Sequence, residues 1–225
     1  MNQSTTIPHP AEALVLARIP AETRKRLARV RLMVFDVDGV LTDGSLWYGE
    51  HGETVKRFNA LDGHGLKMLV ASGIKVALVT GREGPVVARR AAELGLGDVL
   101  QNVRDKGEAL AALASRHLLS LDETGFMGDD LIDLSAMQRA GFAATVPEAP
   151  AYVAQAAHWI ATRRGGHGAA RECCDIILAS QNRLGAFFQP GRRSISRAAN
   201  DERTLRNRHF TADHGHPGHG DLVGG

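Results

Sequence analysis

Asp36 and Asp38 stand two positions apart in the stretch VFDVDGVLTDG, residues 34–44, directly after an apolar run. Carboxylates at this spacing can supply a nucleophile, move a proton as general acid and base, or offer hard oxygen ligands to a cation. Which of these they do depends on what the chain brings to meet them. Thr80 in VTGR, Lys106 in RDKGEAL and Asp129 in GDDLID are the other residues whose types suit chemistry. Each has a bland reading when taken alone: an Asp-Gly is a turn, a Thr-Gly a strand exit, a lysine at a helix start solvated surface.

The elements that must position them can be read from periodicity. Residues 30–36, 74–80, 98–103, 125–130 and 141–146 are short, largely apolar runs rich in Val, Ile or Phe, the pattern of strands buried on both faces. Between them, residues 64–73, 84–97, 106–118 and 133–141 space apolar residues at three and four, and three of these four segments end at or next to Gly. Alternating strands and helices predict an α/β fold, a doubly wound, Rossmann-like parallel sheet whose ligands sit outside the carboxyl ends of the strands. Asp36, Thr80 and Asp129 then each follow a strand at that end, while Lys106 opens the helix after the third strand. Four separate segments converge on one crevice, which the bland readings do not explain.

Length and composition bound the rest. A chain of 225 residues buries the core of one medium domain. With 27 Lys and Arg against 25 Asp and Glu, it lacks the basic excess of a nucleic-acid binder. Its two cysteines, Cys173 and Cys174, are adjacent, so they cannot staple distant segments; they read as packing residues of a helix. No apolar stretch approaches the roughly 20 residues that span a bilayer, and the amino terminus lacks a charged start followed by an apolar core. A soluble, cytoplasmic protein with no membrane partner is expected.

At these residues the sequence resembles the haloacid dehalogenase-type phosphohydrolases, whose four motifs occur in order: DVDGV at 36–40, Thr80 in VTGR, Lys106 in RDKGEAL and GDDLID at 128–133. Phosphate monoester hydrolysis can require accelerations up to about 10²¹-fold, of which general acid–base catalysis supplies only about 10²–10⁴. A carboxylate attacking phosphorus divides the reaction into two easier steps through an acyl phosphate. Asp36 is expected in that role, and Asp38, two residues on, can protonate the leaving alcohol and later deprotonate the attacking water. The resemblance implies Mg²⁺, a cation suited to hard oxygen ligands, held by Asp36, the Asp38 main-chain carbonyl and Asp129. Asp130 and Asp133 could orient that shell. Thr80 would bind the phosphate, and Lys106 would neutralise its charge.

Substrate choice follows from spacing. About forty residues separate Asp36 from Thr80. After the helix at 64–73 is set aside, LTDGSLWYGEHGETVKRFNALDG remains and reads as a β-hairpin, a small flap with no large cap domain. Such a flap is too small to seal a crevice, which makes a neighbouring subunit the expected cover. Trp47, Tyr48 and Phe58 would otherwise expose apolar surface on the projecting arm.

DVDGVLTDG, FNALDGHGLKML (58–69), VTGR, GDDLIDL and RRGGHGAARECCDIIL (163–178) together look like the lidless subfamily that contains 3-deoxy-D-manno-octulosonate 8-phosphate phosphatase. The likeness spans about residues 30–180. It implies a Mg²⁺-dependent homotetramer acting on a sugar acid phosphate, in a step of lipopolysaccharide precursor synthesis. In such assemblies a neighbour's C-terminal segment approaches each active site. A substrate with both carboxylate and phosphate calls for cations beyond Lys106, and Lys67, Arg82 and Arg90 are available. The resemblance implies that Asn59, Asp62 and Gly63 contact sugar hydroxyls and that Arg171 approaches a neighbouring site. Leu61 departs from the basic residue that relatives often carry, leaving another sugar acid phosphate, such as a nonulosonate 9-phosphate, as the alternative. A phospho-accepting signalling module also uses an aspartate, a Thr and a Lys, but a built-in acid and base at Asp38 favours turnover.

The expected organisation is an N-terminal helical extension over 1–29 containing the helix AETRKRLARV, a phosphohydrolase domain over 30–185, and a disordered tail over 190–225. In GGHGAARE, His167 is expected to be exposed rather than catalytic. Three histidines at 214, 216 and 219 read as part of a solvated tail rather than a metal site.

Overall fold

Leu32–Phe35 forms strand β1, and all four of its residues are buried, as a strand covered by helices on both faces requires. The computed structural model describes residues 9–188; the expected tail and its histidines lie outside the described residues. Strand β1 pairs in parallel with β4 (Lys75–Val79) on one side and β6 (Thr124–Met127) on the other. Beyond β4 lies β5 (Asp98–Leu100), and beyond β6 lie β7 (Phe142–Thr145) and β8 (Trp159–Ile160). The six-stranded order is β5-β4-β1-β6-β7-β8, so the strand that delivers Asp36 lies inside the sheet.

The alternation of side chains along β1 divides the core in two. Met33 and Phe35 pack with α2 (Ala21–Arg29), α3 (Ala60–Ala71), α4 (Pro85–Leu94) and α8 (Ala169–Ser180). Leu32 and Val34 pack on the opposite face with α5 (Lys106–Arg116), α6 (Leu134–Arg139) and α7 (Ala151–Ala156). A short helix, α1 (Pro10–Leu16), precedes α2. The helix expected within AETRKRLARV is α2, and its Leu27 is fully buried in the first of these cores. Cys173 and Cys174 are buried in the same core.

Helix boundaries follow from caps. Helix α3 begins at Ala60, ahead of the expected start at 64, because the Asn59 side chain accepts the Leu61 N–H at 2.8 Å. Asp105 caps α5 by accepting from the Gly107 and Glu108 N–H groups, which fixes Lys106 as the first residue of that helix. Helix α4 closes on Gly95 at φ 73°, the left-handed conformation that favours glycine.

The expected hairpin is present as β2 (Trp47–Gly49) paired antiparallel with β3 (Gly52–Val55). Trp47 and Tyr48 are exposed on it, as are Leu46 and Val55. Phe58 corrects the expectation for the arm: pairing ends at Val55, and the chain then turns toward α3, so Phe58 packs against the core beneath the Arg90 guanidinium. No helix among the described residues is long and apolar enough to cross a membrane.

Candidate active site

Asp36 immediately follows β1, and its N–H continues the ladder by donating to the Met127 carbonyl at 2.9 Å. The residue is only 4% exposed. One oxygen, Oδ1, accepts from the Val37 N–H at 2.7 Å and lies 2.9 Å from Lys106 Nζ. Lys106 is equally buried and places the same ammonium 2.6 Å from Asp133 Oδ1. The other oxygen of Asp133 accepts the N–H groups of Asp129 at 2.9 Å and Asp130 at 3.1 Å. Asp133 therefore fixes both the lysine and the turn that carries Asp129. Thr145, at the end of β7, steadies the same turn by donating its hydroxyl to the Gly128 carbonyl at 2.7 Å.

The loop after Asp36 is closed by its own residues. Leu41 and Thr42 both donate backbone N–H groups to the Val37 carbonyl at 3.0 Å, and Thr42 Oγ1 accepts from the Gly44 N–H at 3.2 Å. Gly39 is required twice over: its φ is 89°, and a Cβ there would lie 2.0 Å from Asp129 Oδ2. Behind this loop lies the glycine pair of RRGGHGAARE. A Cβ on Gly165 would fall 1.8 Å from the Gly39 carbonyl oxygen, and the Gly166 N–H donates to the Val40 carbonyl at 2.9 Å.

Electrostatics favour a cation here. Carboxylate oxygens of Asp36, Asp129 and Asp133 lie within 4.8 Å of one another, and one ammonium, Lys106, cannot balance three carboxylates. Burial, and then the neighbouring Asp133 charge, push the Asp36 carboxyl upward against the opposing pull of Lys106. The same two causes push Asp129 to about 7. Burial by itself would lower Lys106, but the charges of Asp36 and Asp133 outweigh it and raise this group. Asp129 Oδ1 is buried without a hydrogen-bond partner, an orphaned acceptor that calls for explanation. Both oxygens of Asp133 are already committed, whereas Asp36 makes both of its contacts through Oδ1. A hard divalent cation between Asp36 and Asp129 fits this donor set.

The Asp38 carboxylate is engaged by residues of and beyond the hairpin. Its Oδ1 forms an ion pair with Lys56, and its Oδ2 lies 3.9 Å from Arg82 Nε. Lys56 also meets Glu53 at 2.5 Å, and Arg82 donates to the Tyr48 hydroxyl at 3.1 Å. Lys56 and Glu53 are site residues that the sequence did not single out. Strand alternation would send positions 53 and 56 to opposite faces, but β3 ends at Val55, before Lys56.

The other expected residues divide. Thr80 is buried at the end of β4, where its hydroxyl accepts the Arg82 N–H at 3.2 Å. Lys67 is exposed on α3. Arg90 leans over Phe58 with its Cζ 5.8 Å from the ring centroid, pairs with Glu93 at 3.3 Å, and packs against Gly63, so it is engaged along α4. Asn59, Asp62 and Gly63, expected at the sugar hydroxyls, each have a structural place as well. Asn59 caps α3, Gly63 is buried, and both oxygens of the buried Asp62 carboxylate accept N–H groups at the start of α8. Arg171 pairs with Asp175 at 2.8 Å within its own helix. His167 is exposed, and its Nε2 meets Arg57 at 2.8 Å.

Comparison with known proteins gives a consistent result. The profile of the haloacid dehalogenase-like hydrolases matches residues 90–172. The 3-deoxy-D-manno-octulosonate 8-phosphate phosphatase of Yersinia pestis is 38% identical over 160 residues, which is 71% of this chain and 86% of the relative. A crystal structure of the phosphatase of that name from Moraxella catarrhalis, in complex with a magnesium ion, a phosphate ion and a KDO molecule, superposes with a TM-score of 0.72 at 40% identity, covering 74% of this chain and 95% of the other. A hypothetical protein from Xanthomonas campestris superposes with a TM-score of 0.75 at 46% identity, covering 77% and 94%.

Proposed function

The chain belongs to the 3-deoxy-D-manno-octulosonate 8-phosphate phosphatase family of haloacid dehalogenase-like hydrolases, and we propose that it hydrolyses that sugar acid phosphate to the free sugar acid and inorganic phosphate. The observation that carries this reading is the buried constellation in which Lys106 bridges Asp36 and Asp133 while an orphaned oxygen of Asp129 lies beside them.

In the proposed sequence an Asp36 oxygen attacks phosphorus as the ester P–O bond breaks, and Asp38 delivers a proton to the departing sugar oxygen. Asp38 then takes a proton from water, whose oxygen attacks the acyl phosphate, releasing phosphate and restoring Asp36. Thr80 holds a phosphate oxygen, and Lys106 supplies fixed positive charge without needing to reorganise. Asp36, Asp129 and the Asp38 main-chain carbonyl are the proposed holders of Mg²⁺, which when bound neutralises charge on the phosphate oxygens. Asp133 acts through its neighbours by orienting Lys106 and the turn bearing Asp129.

Arg82 and Lys67 are the proposed partners of the sugar acid carboxylate, since both lie outside the core and a guanidinium can grip a carboxylate with two parallel bonds. A cytoplasmic homotetramer is the proposed working form. The exposed Leu46, Trp47, Tyr48 and Val55 of the hairpin support pairing of these arms between chains, with Arg171 approaching a neighbour's crevice. Phosphate release from 3-deoxy-D-manno-octulosonate 8-phosphate, measured with Mg²⁺ and with chelator against a panel of other phosphate esters, tests the reading. The sugar acid phosphate should lead the panel by orders of magnitude in kcat/KM, and only with the metal present.

A further inference from the structure

Lys56 sits on the chain just beyond a solvent-facing hairpin, yet its side chain is only 5% exposed. A lysine ammonium this far from water requires partners, and it has two carboxylates. One is Asp38, with which it forms an ion pair through Oδ1; the other is Glu53 of β3 at 2.5 Å. Arg82 stands further back, 3.9 Å from Asp38 Oδ2 and 3.8 Å from Glu53 Oε2, with a side chain 39% exposed. Two cations and two carboxylates thus link the hairpin to the crevice, and the buried, close member of the link is Lys56.

We infer that Lys56 is a positioning residue for proton transfer: by joining Asp38 to Glu53 it makes the orientation of the Asp38 carboxylate depend on the seat of the hairpin. The backbone loop fixes the Asp38 Cα, as the Gly39 and Thr42 contacts show, but it does not choose the side-chain rotamer. A general acid must come within hydrogen-bond reach of the oxygen it protonates, and small misplacements of a reacting group are expensive in rate. Without the ammonium, Asp38 keeps, among the described residues, the distant and half-exposed Arg82 to hold its direction. Nucleophilic attack by Asp36 does not draw on this link, because Asp36 is held by Val37 and Lys106. The inference rests on the reading of Asp38 as acid and base.

The test compares Lys56→Met with Asp38→Asn on two substrates in Mg²⁺-containing buffer. 3-Deoxy-D-manno-octulosonate 8-phosphate has a leaving oxygen that needs a proton, and an aryl phosphate with a nitrophenolate leaving group does not. Lys56→Met should lose about 10- to 100-fold in kcat on the sugar phosphate, within the range of acid–base catalysis, while the pre-steady-state burst on the aryl phosphate stays within about threefold. Lys56→Arg, which keeps the charge, should recover most of the loss. Equal losses on both substrates, or none, in a background where Asp38→Asn is selective for the sugar phosphate would overturn the inference. If Asp38→Asn itself shows no such selectivity, the acid–base reading fails and the inference falls with it. Should Lys56→Met not fold, Glu53→Gln, which cuts the hairpin end of the same link, must show the selective loss, and its absence is equally decisive against the role.

Discussion

The Asp62 carboxylate, buried in α3, accepts the N–H of Arg171 at 2.8 Å, so one helix caps another that begins more than a hundred residues later. Its second oxygen accepts the Gly168 N–H at 3.1 Å. Helix α8 has no side-chain cap from its own N-cap residue, Gly168, and Asp62 fills that place from outside.

Asp62→Ala should therefore act on stability before chemistry. It strands two buried backbone donors, and loss of about 1–3 kcal/mol is expected in urea denaturation. The kcat/KM of the folded enzyme should change by less than tenfold. A loss of a hundredfold or more with unchanged denaturation would instead place Asp62 against the substrate.

Asp36→Asn keeps the shape of the buried side chain but removes the attacking charge. Phosphate release should fall to near background, with the circular dichroism spectrum retained. Substantial turnover by a correctly folded Asp36→Asn protein would refute the covalent route.

Stability of the metal-free protein should depend on pH in an unusual direction for a carboxylate. Asp129 is raised from 3.8 to about 7 in the fold, so between these values the folded chain holds a proton that the unfolded chain gives up. Stability contributed by this group therefore falls as pH rises from about 4 to about 7, and the raised Asp36 acts in the same direction. Mg²⁺ should remove the loss, so the difference in Tm between Mg²⁺-loaded and chelator-treated protein should widen as pH climbs through this range. A difference that is flat with pH would count against Asp129 as a ligand.

Gly39→Ala tests the contact between the catalytic loop and Asp129. The substituted methyl would have to displace the Asp129 carboxylate and adopt a left-handed backbone. Mg²⁺ affinity measured by calorimetry should drop at least tenfold, with a comparable or greater loss of activity. Unaltered affinity would show that the loop relaxes without moving Asp129.

Trp47→Glu combined with Val55→Glu places charge on the exposed hairpin while leaving the core-packed Phe58 intact. Sedimentation should show species smaller than the wild type, with aryl phosphate hydrolysis retained and sugar acid preference reduced. A wild-type monomer with full sugar acid activity would remove the argument for arms that pair.

The parts of this fold that sequence exposes are those under two-sided constraint. Strands β1, β4, β6 and β7 are continuous apolar runs because both faces are covered, and Asp36, Thr80 and Asp129 stand out as the polar residues that end or follow such runs. Elements of a turn or two, such as α1, α7 and the two-residue β8, are too short for a period to show. Roles that depend on a distant partner were also hidden. Nothing near Asp62 in the sequence shows that it caps α8, and nothing near Lys56 shows that Asp38 and Glu53 meet its ammonium.

The contact of Gly165 with the Gly39 carbonyl also orders events during synthesis. Residues 36–44 leave the ribosome early, but β1 needs β6 as a neighbour, and the rear wall of its loop comes from residues 165 and 166. Long-range pairing of this kind forms late. A nascent chain halted before Gly165 would carry every proposed Mg²⁺-holding residue yet lack the support and the helix start that fix them, so enzymatic competence should appear as a step once residues 165–171 have emerged rather than accumulate along translation.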